Sequence, residues 1–199
     1  MRRPAPRVRR TGTVMIFQFC PLCGTTLTLQ EIKAGETARP ACGACAFVHF
    51  EDPKLAAGCI IEIEGQIALV RRAIEPGYGK WVFPGGYVDR GERVEDAARR
   101  ETREEACLEV QITSLLNVYS YPGRPVVVVV YTADVVAGEF APADECLEAA
   151  TFPAAALPWA ELAFPSTWDA LSDYVRTRHG LTPPEDVRPP EPAPLRFFR

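Results

Sequence analysis

The chain has 199 residues, 47% of them apolar and 24% charged, with a formal net charge of −4. Such a composition excludes a disordered or fibrous chain and supplies the core of one ordinary domain with a small module beside it. The slight acidic excess gives no global field to gather nucleic acid or an anionic membrane surface. No apolar run approaches the length of a bilayer span.

Residues 1–15 hold Arg2, Arg3, Arg7, Arg9 and Arg10 and no acid. The expected state is a disordered basic arm, and an upstream start with Met15 as the natural first residue fits equally. The apolar stretch from Val14 to Phe17 is too short for a signal-peptide core. The clustered arginines leave a contact with phosphates open.

Seven cysteines follow. Four fall as Cys20-x2-Cys23 and Cys42-x2-Cys45, eighteen residues apart, which is zinc-site spacing. Each pair can bend its thiolates onto one ion, and two pairs complete a tetrahedral Zn2+ site. The remaining Cys59, Cys107 and Cys146 are odd in number, which argues against a disulfide framework and for a reducing cytoplasm. Two disulfides in a secreted protein are the alternative, and no secretory signal supports them. Residues 16–50 are therefore expected as a metal module with a strand over Thr26 to Ile32 and too little core to fold without the ion. His49 is an alternative ligand, but four cysteines already fill the site, so a packed or surface histidine is expected.

After a linker at Glu51 to Lys54, Leu55 to Ile63 and Gln66 to Arg71 read as strands joined at Glu64-Gly65, a hairpin signal. Glu75 to Lys80 is a loop by its turn residues, and Trp81 to Phe83 a short strand running into Pro84-Gly85-Gly86. Beyond the central helix, Glu109 to Tyr121 and Val126 to Val136 read as strands, the second apolar enough to be buried. Pro142 to Glu148 is an acidic loop and Ala149 to Phe152 a last strand. Ser166 to Asp169 has the form of a capping box opening a helix that ends near Gly180. Residues 181–199 are proline-rich and expected to be disordered.

The stretch GGYVDRGERVEDAARRETREEACLEV, from Gly85 to Val110, organises the rest. Glu101, Glu104 and Glu105 share a helix face, being i, i+3 and i+4. Val94, Ala97, Ala98 and Leu108 lie on that same side, so an apolar stripe turns into carboxylates. A merely solvated acidic face would lie opposite the stripe. Glu101 and Glu105 are like charges four apart and need something positive. Arg100 and Arg103 supply part, and hard divalent cations, which take carboxylate oxygens and substrate phosphates, supply the rest.

These residues resemble the signature of the Nudix hydrolases, G-x5-E-x7-R-E-U-x-E-E-x-G-U with U bulky and apolar. Gly86, Glu92, Arg100-Glu101, Glu104-Glu105 and Leu108 match. Thr102 departs at an apolar position, and Cys107 stands where the family has its second glycine. If Cys107 must leave the helix with positive φ, the conformation costs roughly 1–2 kcal/mol. The four-cysteine module in front, RRAIEP at Arg71 to Pro76 and ELAFPS at Glu161 to Ser166 are similar to the zinc-ribbon members, which act on NADH, FAD or ADP-ribose. The SQPWPFPxS motif of the NADH type is absent: the region reads SLLNVYSYPGRPVVVVV. This lowers NADH as the main substrate.

The resemblance implies an α/β fold, a Nudix α/β/α sandwich around a mixed sheet over residues 51–180, preceded by a zinc ribbon. It implies hydrolysis of a pyrophosphate linked to a nucleoside, with FAD, ADP-ribose or NAD(H) type substrates all fitting, and Mg2+ or Mn2+ as catalytic metal. Carried over by position, Glu101, Glu104 and Glu105 are metal ligands and Gly86 lends its carbonyl. Arg100 and Glu92 orient the glutamates. Glu145 is the first candidate for general base and a further ligand, Glu148 the second, and ordinary loop acids are the alternative. Trp81, Tyr119 and Tyr121 are candidates to stack a base, with core packing as the alternative, and Arg71 or Arg72 to hold a phosphate. The partner is a small dinucleotide, without membrane, and a homodimer is compatible with the family. A non-enzymatic nucleotide- or nucleic-acid-binding module is the competing reading. The intact glutamates oppose it, and residues 16–50 hold only Lys33 and Arg39 as cations, which is no nucleic-acid patch.

Overall fold

The computed structural model describes residues 17–143 and 145–190. The basic arm, residues 1–15, lies outside the described residues, as do residues 191–199. The chain divides into two compact units, one ending at Asp52 and one beginning at Pro53.

In the first unit, β1 (Thr28–Gln30) and β2 (Arg39–Ala41) pair antiparallel, Thr28 opposite Ala41. β1 is shorter than the run Thr26 to Ile32 suggests, because the chain turns early: the Glu31 carboxylate captures the Gly35 N–H. Cys20, Leu27 and Cys42 are its buried core, with Phe47 against them. So small a cluster is expected of so short a segment.

The second unit is a seven-stranded sheet. Its strands are β3 (Lys54–Ile63), β4 (Gln66–Arg72), β5 (Trp81–Val82), β6 (Gly85–Tyr87), β7 (Leu108–Ser120), β8 (Val126–Gly138) and β9 (Cys146–Phe152). The order is β5-β4-β3-β8-β7, with β6 added to β3 and β9 to β4. β3 and β8 run parallel while the other strand pairs of this sheet are antiparallel, so the sheet is mixed. The hairpin turn at Glu64 (φ 51°) and Gly65 (φ 76°) has both central residues left-handed, the arrangement that matches strand twist.

Side chains alternate across β3 and feed two cores. Cys59 and Ile61 pack with Ala97 and Ala98 of α1 (Val94–Ala106). Ile60 packs with Trp168 and Leu171 of α2 (Pro165–His179) on the opposite face. The result is the helix–sheet–helix sandwich that the box resemblance implies. Thr102, at an apolar position of the signature, is fully buried and donates its hydroxyl to the Ala98 carbonyl at 2.8 Å, so no polar atom is stranded.

Three boundaries differ from the sequence expectation. β6 was not foreseen: Gly85 and Gly86, taken as a turn, pair with Gly58 and Ala57. β9 starts at Cys146 rather than Ala149, because Arg72 and Arg71 pair with Cys146 and Glu148. α2 starts at Pro165 with Phe164 as N-cap and no side-chain cap, so the Ser166 capping box is not used. Proline at the first helical position needs no N–H partner and has a pre-set φ. Residues 181–190, expected as part of a disordered tail, carry a 3-10 turn at Glu185–Val187. Arg188 there grips Asp169 with two hydrogen bonds of 2.8 and 2.7 Å.

Candidate active site

β6 and α1 build the site by close approach. The Gly85 N–H donates to the Glu105 carboxylate at 2.8 Å. Gly86 has no space for a side chain: a Cβ there would lie 2.5 Å from Cδ of Glu101. Arg100 sits at the centre of the acids. Its guanidinium donates to Glu92 at 2.9 and 3.0 Å, to Glu101 at 2.7 Å, to Glu104 at 2.9 Å and to the Tyr87 carbonyl at 3.0 Å. Glu92 also accepts the Asp89 N–H at 3.1 Å. Five donors in a fixed fork make this bracing specific to arginine. Cys107 ends α1 with φ 58° and ψ 23°, its N–H returning to the Arg103 carbonyl. The chain thus exits as the family glycine would, with a cysteine bearing the strain.

The acids differ in their readiness to ionise. Glu92 is held below the usual carboxylate range by Arg100 and then by the Asp89 N–H. Burial raises Glu101 despite its contact with Arg100. Burial pushes Glu105 up to about 7; the Gly85 N–H opposes this, and the charges of Glu101 and Glu145 add to it. Glu145 therefore lies within the field of both glutamates. Its neighbourhood is set by the Ala143 N–H reaching the Glu105 carbonyl at 3.4 Å and by its own carbonyl accepting the Ala73 N–H at 2.7 Å. Buried carboxylates crowded together, with one arginine spread over three of them, make a site short of positive charge.

The model of the NUDIX domain matches residues 52–174. The chain belongs to the Nudix family. An ADP-ribose pyrophosphatase of Methanocaldococcus jannaschii is 39% identical over 132 residues, covering 64% of this chain and 76% of that protein. A NAD-capped RNA hydrolase, NudC, of Stutzerimonas stutzeri is 29% identical over 132 residues; the chain spans 46% of its length. The crystal structure of a Nudix hydrolase from Nitrosomonas europaea superposes with a TM-score of 0.78 at 35% identity, covering 84% of this chain and 95% of that one.

The other Nudix site candidates scatter. Arg72 acts on Glu105 through its charge only; its guanidinium donates to the Pro76 carbonyl at 2.9 Å and lies over the Phe164 ring. Arg71 is spent on the Gly79 carbonyl at 2.8 Å and on Glu148 at 3.3 Å, which also occupies the second base candidate. The three aromatics are not brought to the carboxylates. Trp81 is buried, edge-on to Phe152 at 5.0 Å. Tyr119 is buried and bonds to Asp173 at 2.8 Å, and Tyr121 bonds to Asp169 at 2.6 Å. Trp81 and Tyr119 belong to the core under α2, and Tyr121 packs against it, on the face of the sheet opposite α1. The sequence reading missed Tyr87. It follows Gly86, is 49% exposed, and carries the Lys54 ammonium 4.8 Å from its ring centre. Recognising β6 as a strand would have exposed it, since alternation turns Tyr87 away from the Glu101 side.

In the ribbon unit the four Sγ atoms of Cys20, Cys23, Cys42 and Cys45 all lie within 4.8 Å of one another. All seven cysteines are free thiols, so the disulfide alternative fails. Cys23 is drawn down to about 6, first by the Thr25 hydroxyl. The Phe47 N–H pulls Cys45 down too, but the sulfurs of Cys20 and Cys23 outweigh it and raise Cys45 to about 12. His49 packs edge-on to Phe17 and is not part of the quartet. Among the described residues Glu101, Glu104 and Glu105 form no group as tight as the cysteines, because Glu104 turns outward onto Arg100.

Proposed function

We propose that the chain is a nucleotide pyrophosphatase that uses Mg2+ or Mn2+ to hydrolyse the diphosphate of a dinucleotide-type substrate into two monophosphates. The observation that carries this is the cluster of Glu101, Glu104 and Glu105 against the side-chain-free approach of Gly86, with Arg100 bracing it. The donor set is all oxygen, partly buried and deficient in positive charge, which suits a hard divalent cation. Glu101, Glu104, Glu105 and the Gly86 carbonyl would hold the metal, with Glu145 as a further ligand or as the proton acceptor for water. When bound, the metal neutralises the diphosphate and makes a bound water acidic. Arg100 and Glu92 are positioning residues: they fix the carboxylates by charge-assisted hydrogen bonds.

Arg72, whose charge acts on Glu105, is the cation assigned to the phosphate. ADP-ribose type substrates are favoured by the relative at 39% identity, and the missing SQPWPFPxS stretch weighs against NADH. The cysteine quartet would hold one structural Zn2+, and seven free thiols fit a reducing cytoplasm. No helix of the described residues is long and apolar enough to cross a membrane.

The test is a panel of ADP-ribose, FAD and NAD(H) with Mg2+ or Mn2+, read as released monophosphates. ADP-ribose should be cleaved fastest. Glu104→Gln should lose at least about 100-fold, more than an outer-shell partner loses. Near-normal turnover by that variant would mean that the glutamate cluster is not the site, and no turnover of any of these substrates by the unaltered chain would favour the non-enzymatic reading.

A further inference from the structure

β7 is the outer strand at its end of the sheet: it pairs with β8 on one side, and on the other no strand pairs with it among the described residues. An unpaired edge is a row of open N–H and C=O groups, and edges that stay single are typically short or carry lysine or proline. β7 has 13 residues, and from Val110 to Ser120 it holds no charged residue and no proline. Leu115 and Val118 stand 56% and 47% exposed. Two backbone groups are met by the strand's own amides: Gln111 donates to the Ile112 carbonyl at 3.2 Å, and the Val118 N–H donates to Asn117 at 2.9 Å.

The strand has the same chemistry read in either direction. Val110-Gln111-Ile112 before Ser114 is apolar, amide, apolar, and so is Leu116-Asn117-Val118 after it. Antiparallel pairing of two copies about a two-fold axis at Ser114 sets Val110 opposite Val118 and Gln111 opposite Asn117, and brings the two Ser114 residues together. The faces agree. Val110 lies in the α1 core, and Val118 stands opposite Val129, which packs on that core. Asn117 donates to Asp173 of α2, and Gln111 alternates with Val110 and Ile112, so both amides lie on the α2 face. The bulges of this stretch do not spoil the match, because there are two. Register against β8 slips between Ile112 and Ser114 and again between Leu115 and Asn117. One slip turns the rest of the strand over, and the second turns it back. A one-residue shift between the copies would set Gln111 against Val118 and Asn117 against Ile112, so the register is specified.

We propose that β7 pairs antiparallel with β7 of a second copy of this chain, about a two-fold axis at Ser114, and joins the two sheets into one. The partner is the same chain because the pattern is its own complement and no like charges meet across the axis. The pairing from Val110 to Val118 runs about 30 Å at about 3.3 Å per residue. A strand of that length, with side chains on both faces, approaches the ~800 Å2 per copy that a stable dimer buries. It uses up both β7 edges, so it closes at two copies and does not grow into a fibre. The inference does not depend on the hydrolase reading, because it uses none of the carboxylate residues.

The experiment measures the mass of the full chain in solution by sedimentation, unaltered and as Ser114→Lys and Ser114→Glu. Ser114 is exposed and its hydroxyl meets Thr132 at 2.7 Å on the neighbouring strand, so both variants should keep the circular dichroism of the unaltered chain. The unaltered chain is expected at twice its own mass at micromolar concentration. Each variant alone sets like charges face to face at the axis and should raise the dissociation constant at least about 10-fold. An equal mixture of the two should regain the dimer, since opposite charges then meet; a structural effect of either substitution would not be rescued in this way. An unaltered chain that stays monomeric at hundreds of micromolar overturns the inference. So does a dimer that either variant leaves intact, or a mixture that stays monomeric.

Discussion

Replacing Glu105 with glutamine isolates the energetics of the acidic cluster. Burial raises this carboxyl from an ordinary 4.5 to about 7. A raised carboxyl binds its proton more tightly in the folded chain than in the unfolded one. Its contribution to stability is therefore whole below about 4.5 and is lost as pH climbs through about 7. The gap corresponds to about 3 kcal/mol, most of it lost between pH 5 and pH 8. Glutamine is nearly isosteric, stays neutral, and keeps a carbonyl for the Gly85 N–H, so the variant escapes the loss. Glu105→Gln should be within about 1 kcal/mol of wild type at pH 5, and its advantage should grow by about 2 kcal/mol at pH 8. Urea unfolding followed by tryptophan fluorescence measures this, since Trp81, Trp159 and Trp168 all lie in the unit beginning at Pro53. Without Mg2+ or Mn2+ the difference should be full; adding Mg2+ at pH 8 should raise wild type alone, because a ligand of the ionised form stabilises only a chain that has it. A variant less stable than wild type at pH 8, or an advantage equal at both pH values, would refute the reasoning.

Other expectations follow from named geometry. Cys107→Gly should stabilise by about 1 kcal/mol, since φ 58° strains a cysteine and the greater freedom of unfolded glycine cancels only part of the relief; the urea midpoint reports it. Gly86→Ala should cost about 10-fold or more in turnover by displacing Glu101, as a misplaced catalytic group does, with the helical circular dichroism unchanged. Gly58→Ala should destabilise by about 1–3 kcal/mol, because a Cβ there would lie 2.5 Å from the Pro84 carbonyl and 2.7 Å from the Phe83 ring; thermal unfolding checks it. Metal analysis should find one zinc per chain, and Cys42→Ser should abolish it and raise amide exchange in residues 17–52.

Much of the site was readable because its logic is local. Glu101, Glu104 and Glu105 share a face by helix period alone, and Arg100 reaches Glu104 one turn away. The left-handed exit at Cys107 is set by the same few residues. The two C-x2-C knuckles likewise carry their own turn geometry, and only the meeting of the pairs needed β1 and β2. The aromatics were not readable in this way. Trp81 and Tyr119 sit on strands, and Tyr121 just past the end of one, whose faces depend on which helix covers them, and both sides of this sheet are covered.

Local order along the chain thus determined the carboxylate helix, the cysteine knuckles, the hairpin at Glu64-Gly65 and the apolar strands, because each rests on contacts within a turn or two of its own residues. Tertiary structure alone decided the rest. It turned the glycines at Gly85 and Gly86 into a strand against Gly58 and Ala57, brought Glu145 into the field of Glu105, put Glu148 onto Arg71, and set Tyr119 and Tyr121 against Asp173 and Asp169. Those pairings join residues 27 to 77 positions apart. Such contacts are set by sheet register and by which core each face fills, and neither quantity is a property of any short stretch.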